Sequence, residues 1–270
     1  MLTRIPATLP ETHRNFIDRA LRIFSADPRV LGVAAAGSFA DDKMDRFSDI
    51  DLTIVVEPTH ATEILSERTA IAASLGELLA SFTGEHVGEP RLLICLYGSP
   101  LLHVDLKFVA LTDAADRVDE PAVIWEREGR LTEAMAQRSG KYPCPDMQWV
   151  EDRFWVWVHY AATKIGRGEF FETLEFLSFL RANVLSPLGL QALGLRPSGV
   201  RRIEQLAPQL ANELRNTVAT LEPHSLIAAL KACITLYEKL VDTNKTLVDK
   251  KTAARIAAIE YLNEIELLRV

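Results

Sequence analysis

The stretch AAAGSFADDKMDRFSDIDLTIVV, Ala34 to Val56, decides how the chain is read. An apolar run ends at Gly37-Ser38, and a second run, rich in β-branched residues, opens with Asp49 and Asp51. Aspartate disfavours strands. Strand side chains alternate faces, so positions i and i+2 project to the same side and their charges repel. A cation between them removes the conflict. Mg²⁺ takes oxygen ligands and is usually held by one or two carboxylates together with substrate phosphates. Gly37 lets the backbone turn sharply and come close to a ligand. The N–H groups and the Ser38 hydroxyl that follow make a small anion site suited to a triphosphate. One segment thus offers an anion cradle and a metal platform.

A two-metal clamp on an in-line phosphoryl displacement needs one more carboxylate from a neighbouring strand. Asp105 is the candidate. In LLHVDLKFVAL, Leu102, Val104, Leu106 and Phe108 alternate with His103, Asp105 and Lys107. Such alternation predicts a strand with one polar face. If that strand lies beside the strand of Asp51, Asp105 joins the cluster.

The other predicted elements follow outward. Phe16, Ala20, Leu21 and Phe24 recur at helical spacing after Pro10, and Asp27-Pro28 ends that helix. Val30–Gly37 and IDLTIVV read as strands. His60–Phe82 reads as one helix, PRLLICLYGS as a strand, AVIWEREGRL as a short strand with a turn at Gly129, and LTEAMAQR as a short helix. SGKYPCPD, with one Gly and two Pro, reads as a linker. Everything after it is helical in pattern. Pro145–Gly168 comes first, then a second long helix ending near Pro187, and three more helices over 206–221, 223–243 and 249–268. Two compact domains with a cleft between them are a usual place for a small-molecule site.

The chain has 270 residues and a formal net charge of −7. That balance opposes an extended phosphate-tracking surface for DNA or RNA. Cys95, Cys144 and Cys233 are widely spaced and show no zinc-ligand pattern, so they read as reduced side chains. The N-terminus lacks the apolar region of a signal peptide, and no apolar run reaches the about 18 residues a membrane span needs. A cytoplasmic location without membrane contact is the expectation.

Lys164 and Arg167 close the first C-terminal helix, where cations complement the helix dipole and where they could also reach a triphosphate. His103 and Lys107 share the predicted face of Asp105. Glu126 and Glu128 read as turn residues, and Asp41, Asp42 and Asp45 as solvated loop residues. Trp149, Phe154, Trp155 and Trp157 read mostly as bundle core.

GSFADDKMDRFSDIDLTIVV resembles the signature of the polymerase-β-like nucleotidyltransferase superfamily: GS, a spacer, DxD, then a distal Asp. WVHYAATKIGRGEFFETLEFLSFLR and IWEREGRL are similar to segments of its antibiotic-modifying branch, the lincosamide and aminoglycoside nucleotidyltransferases. The resemblance implies an α+β fold. Residues 1–140 would form a nucleotidyltransferase α/β catalytic domain with a mixed sheet, and residues 141–270 an all-helical bundle domain. It implies transfer of a nucleoside monophosphate, AMP for an ATP substrate, from an NTP to a hydroxyl of a small acceptor such as an aminoglycoside or lincosamide antibiotic. Mg²⁺ would serve as cofactor and pyrophosphate would leave. Gly37 and Ser38 match the phosphate-contacting pair, and Lys164 is assigned with them to the nucleotide. Asp49 and Asp51 match the metal-binding carboxylates. Asp105 matches the third, which lies near the acceptor hydroxyl and can act as general base. Dimers are common among the proteins resembled, so a homodimer is also an expectation. Two other readings stay open: a catalytically silent, antitoxin-like nucleotide-binding module, and a nucleotidyltransferase acting on protein or RNA.

Overall fold

The structure, a computed structural model, describes residues 5–243 and 248–269. The chain divides into two compact units, Met1–Lys141 and Tyr142–Val270.

The first unit is built on a mixed sheet whose strands run β1 Val30–Ala35, β2 Ile50–Val56, β3 Leu78–Gly84, β4 Glu89–Tyr97, β5 Leu102–Ala110 and β6 Ala122–Glu126. Their spatial order is β3-β4-β5-β2-β1-β6. β2 and β5 pair in parallel, whereas β1–β2, β1–β6, β3–β4 and β4–β5 are antiparallel. The helices are α1 Glu11–Ala26, the short α2 Gly37–Ala40, α3 Ala61–Ser74 and α4 Arg130–Ala136. α1 buries Phe16, Ile17, Ala20 and Phe24 against Ile50, Leu52, Ile54, Val104, Leu106 and Phe108. The alternate residues of β2 and β5 therefore face the other side. There α4 covers only one end, through Leu131 and Ala134 packed with Ala34 and Val55.

The predicted helix over His60–Phe82 is a helix followed by a strand. α3 stops at Ser74, and β3 takes up the rest as an edge strand paired with β4, Leu78 opposite Tyr97. The switch falls at Gly76, where a Cβ would come within 3.1 Å of Arg19 Nη2. Strand pairing here overrides the helical spacing of the leucines.

The second unit is helical: α5 Met147–Arg167, α6 Phe170–Phe179, a π-helical turn Leu180–Leu185, α7 Ser186–Ala192, α8 Ile203–Leu206, α9 Pro208–Arg215, α10 Pro223–Thr243 and α11 Thr252–Arg269. α5 starts where Asp146 accepts the Trp149 N–H at 2.7 Å and ends at Gly168, with φ 77°. Pro187 does not end the second long helix as predicted. It occupies the first turn of α7, directly after the π-helical turn. A first-turn proline lacks only an N–H that has no helical partner, and a widened turn before it gives its ring room. The core of this unit gathers Phe154, Trp155, Leu180, Leu230, Tyr237 and Leu262.

Candidate active site

The site starts at the end of β1. Ala36 donates its N–H to the carbonyl of Asp51 at 3.0 Å, fastening the turn beyond β1 to the start of β2. The next residue, Gly37, has φ +56°, and a Cβ there would collide with Asp51 Oδ2. Only glycine combines that backbone with that approach. The Gly-Ser turn and the second aspartate of the DxD pair are therefore in contact. Ser38 follows in α2, and its carbonyl accepts the Lys43 N–H at 2.9 Å.

The register then supplies the link that the sequence left conditional. β2 and β5 pair with Asp51 opposite Asp105, Ile50 opposite Val104 and Leu52 opposite Leu106. Partners across a parallel pair point to the same face, on strands about 4.8 Å apart. Ile50, Leu52, Val104 and Leu106 are buried against α1 and α3, so Asp51 and Asp105 share the opposite face. Two carboxylates about 5 Å apart repel by about 3 kcal/mol at an effective dielectric constant of ~20, a cost that donors or a cation must offset. Asp49 directly precedes β2, two residues before Asp51. Among the described residues, no group of three or more His, Cys, Asp or Glu side chains stands ready to hold a metal ion.

The neighbours on this face are polar. His103 Nε2 lies 3.0 Å from Asp105 Oδ1, and the Asp105 side chain is 23% exposed. Lys107 Nζ pairs with Glu89 at 2.8 Å, and Arg91 binds the same carboxylate at 2.7 Å. The Arg91 hydrogen bond, helped by Lys107, holds the Glu89 carboxyl down at about 2, against the opposing pull of burial.

The spacer between Gly-Ser and DxD is a built turn. Asp45 accepts the Phe47 N–H at 2.8 Å, and Ser48 Oγ accepts the Asp45 N–H at 3.0 Å. Met44 is buried, and its N–H reaches Thr8 Oγ1 at 3.0 Å. His13 Nε2 lies 2.8 Å from the Ser48 carbonyl. His13 was not singled out from sequence. The signal was present, since it stands three and four residues before Phe16 and Ile17, on the buried stripe of α1.

Lys164 belongs to the second unit. Its ammonium pairs with Glu169 at 2.6 Å and Glu172 at 3.1 Å, and these carboxylates raise its pKa to about 12. Glu126 turns back to the N-terminal end of α4, accepting the Thr132 N–H at 2.9 Å and the Thr132 hydroxyl at 2.5 Å. Cys95 and Cys233 are buried and Cys144 is exposed, all as free thiols. Among the described residues no helix is long and apolar enough to cross a membrane.

Two solved structures are similar along most of this chain. One is an aminoglycoside 6-adenyltransferase from Bacillus subtilis, at 14% identity over 93% of this chain and 97% of that one, with a TM-score of 0.42. The other is a nucleotidyltransferase-like protein from Exiguobacterium sibiricum, at 16% identity over 94% and 80%, with a TM-score of 0.39. No curated protein matches the chain. Residues 17–87, which run from α1 past the Gly-Ser turn and the DxD pair, match the family model described as "Nucleotidyltransferase domain". That matched segment holds the GS and DxD residues whose pattern resembles the polymerase-β-like nucleotidyltransferase signature.

Proposed function

We propose that the protein is a Mg²⁺-dependent nucleotidyltransferase that moves a nucleoside monophosphate, AMP from ATP, onto a hydroxyl of a small acceptor. The carrying observation is the pairing of Asp51 with Asp105 across parallel strands, with Gly37 packed against Asp51.

The donor chemistry fits Mg²⁺, because carboxylate oxygens on one half-buried face are the hard ligands that ion prefers. Asp49, Asp51 and Asp105 would hold it. When bound, the ion supplies charge neutralisation at the transferring phosphoryl group. The missing Cβ at Gly37 lets the Asp51 carboxylate close on the Gly-Ser turn, so phosphates held by that turn would lie beside the metal-binding carboxylates. Asp105 would orient the acceptor hydroxyl and accept its proton, with His103 hydrogen-bonded to the other side of the carboxylate. The acceptor oxygen forms a bond to the α-phosphorus as the bond to the bridging oxygen breaks, and pyrophosphate carries away the electron pair. Lys164 is assigned to the nucleotide on the resemblance alone, and Lys164→Met tests it by a rise in KM for the NTP.

An aminoglycoside or lincosamide is the proposed acceptor class, by analogy with the branch the sequence resembles. The decisive assay follows pyrophosphate release with ATP, Mg²⁺ and a panel of such acceptors, with Asp51→Asn as control. Acceptor-dependent release that the control loses supports the reading. Nucleotide binding with no release over the whole panel favours the silent module.

A further inference from the structure

On the reading that Asp49 and Asp51 hold a metal ion and nucleotide, we propose that His13 is a positioning residue for the carboxylate pair, clamping the carbonyl of Ser48 directly before Asp49.

His13 is 1% exposed, on the buried stripe of α1. An imidazole costs more to bury there than a leucine of similar size, unless both ring nitrogens are satisfied. Both are. Nε2 lies 2.8 Å from the Ser48 carbonyl oxygen, and Nδ1 lies 3.2 Å from Thr12 Oγ1. A carbonyl only accepts, so Nε2 carries the hydrogen, and in the neutral ring the Thr12 hydroxyl donates to the lone pair on Nδ1. The contact fixes the tautomer, and Thr12 fixes the ring.

The Ser48 carbonyl belongs to the peptide that leads into Asp49. Its plane sets the direction in which the chain leaves the Asp45–Ser48 turn and enters β2. That turn is closed by its own bonds, Ser48 N–H to the Asp45 carbonyl at 3.1 Å and Asp45 N–H to Ser48 Oγ at 3.0 Å. These bonds hold its shape without orienting it against the sheet. His13 ties it to α1, which packs on the strands that carry Asp51 and Asp105. A carboxylate displaced by about 1 Å can cost a reaction on the order of 10²-fold, so a rigid entry into the DxD pair has a use. His13 lies ahead of the residues that match the family, 17–87, so that match says nothing of it.

The test uses the full chain and Mn²⁺ alone, with affinity followed by water-proton relaxation and stability by urea unfolding. His13→Leu removes the donor and keeps the bulk, whereas His13→Gln keeps an N–H that reaches the same carbonyl. The expected result is Mn²⁺ binding at least tenfold weaker in folded His13→Leu and within threefold of wild type in His13→Gln. Equal affinity in wild type and folded His13→Leu overturns the positioning role while leaving the metal reading intact. A wild-type chain that binds no Mn²⁺ overturns both. Should His13→Leu fail to fold, Thr12→Val decides. It releases only the Nδ1 side of the ring, and a two- to fivefold weakening is expected, with unchanged affinity overturning the proposal.

Discussion

Asp51 and Asp105 are register partners across the parallel strands β2 and β5, and Gly37 closes on Asp51 from the turn beyond β1. Three segments, separated in sequence by about a dozen and about fifty residues, thereby meet on one face of the sheet. If Asp105 takes the acceptor proton, Asp105→Asn keeps the shape and removes the base. A loss of kcat of about 10²–10⁴-fold is expected, with unfolding by urea unchanged within the error of the measurement. Steady-state pyrophosphate release checks it.

Gly37→Ala tests the contact from the other side. The added methyl meets Asp51 Oδ2 at a backbone conformation that alanine disfavours. Strain of about 1–2 kcal/mol is expected from the left-handed backbone alone. The Asp51 carboxylate must also shift. Activity should fall much further than stability, and parallel urea and kinetic measurements separate the two.

Glu89 gives a pH signature. Its carboxyl is held at about 2 in the folded chain, chiefly by Arg91, against 4.5 for the free group. A depressed folded pKa means stability that is fully present above pH 4.5 and is lost as pH falls from there towards 2. Glu89→Gln should be less stable than wild type at neutral pH, by about 1–2 kcal/mol once solvent screening is allowed for. The gap should close between pH 4.5 and 2. Urea unfolding at a series of pH values measures it.

The helical unit has its own buried polar knot. Glu151 is 3% exposed. It accepts the Tyr237 hydroxyl at 2.6 Å, the Trp155 Nε1–H at 3.1 Å and the Lys251 N–H at 2.8 Å. Tyr237→Phe removes one donor and should cost about 1–3 kcal/mol. Glu151→Leu strands three donors and should cost more than Tyr237→Phe. Differential scanning calorimetry of both variants, with wild type as reference, checks the order.

Much of the strand layout could be read from local pattern. The alternation of Leu102, Val104, Leu106 and Phe108 with His103, Asp105 and Lys107 predicts β5 and its two faces, and the β-branched run after Asp51 predicts β2. That β5 lies beside β2 in parallel is a long-range fact with no local signature, and the role proposed for Asp105 depends on it. Residues 78–84 misled because leucines spaced as in a helix can serve an edge strand when a neighbour offers hydrogen bonds. Pro187 misled because the usual rule assumes a regular helix, and the π-helical turn before it relaxes that rule. His13 escaped notice because a polar residue on an apolar stripe reveals its purpose only once its partner, 35 residues away, is known.

The central claim is that Asp51 and Asp105, brought side by side by the β2–β5 register, hold the divalent ion on which a nucleotide's phosphates rest. A crystal structure with Mn²⁺ and a non-hydrolysable ATP analogue tests it most directly. The expected result is an anomalous Mn²⁺ peak within about 2.5 Å of oxygens from both aspartates and from the analogue's phosphates, with the triphosphate against Gly37 and Ser38. Mn²⁺ and nucleotide bound elsewhere, with either aspartate making no contact to the metal, would contradict the account.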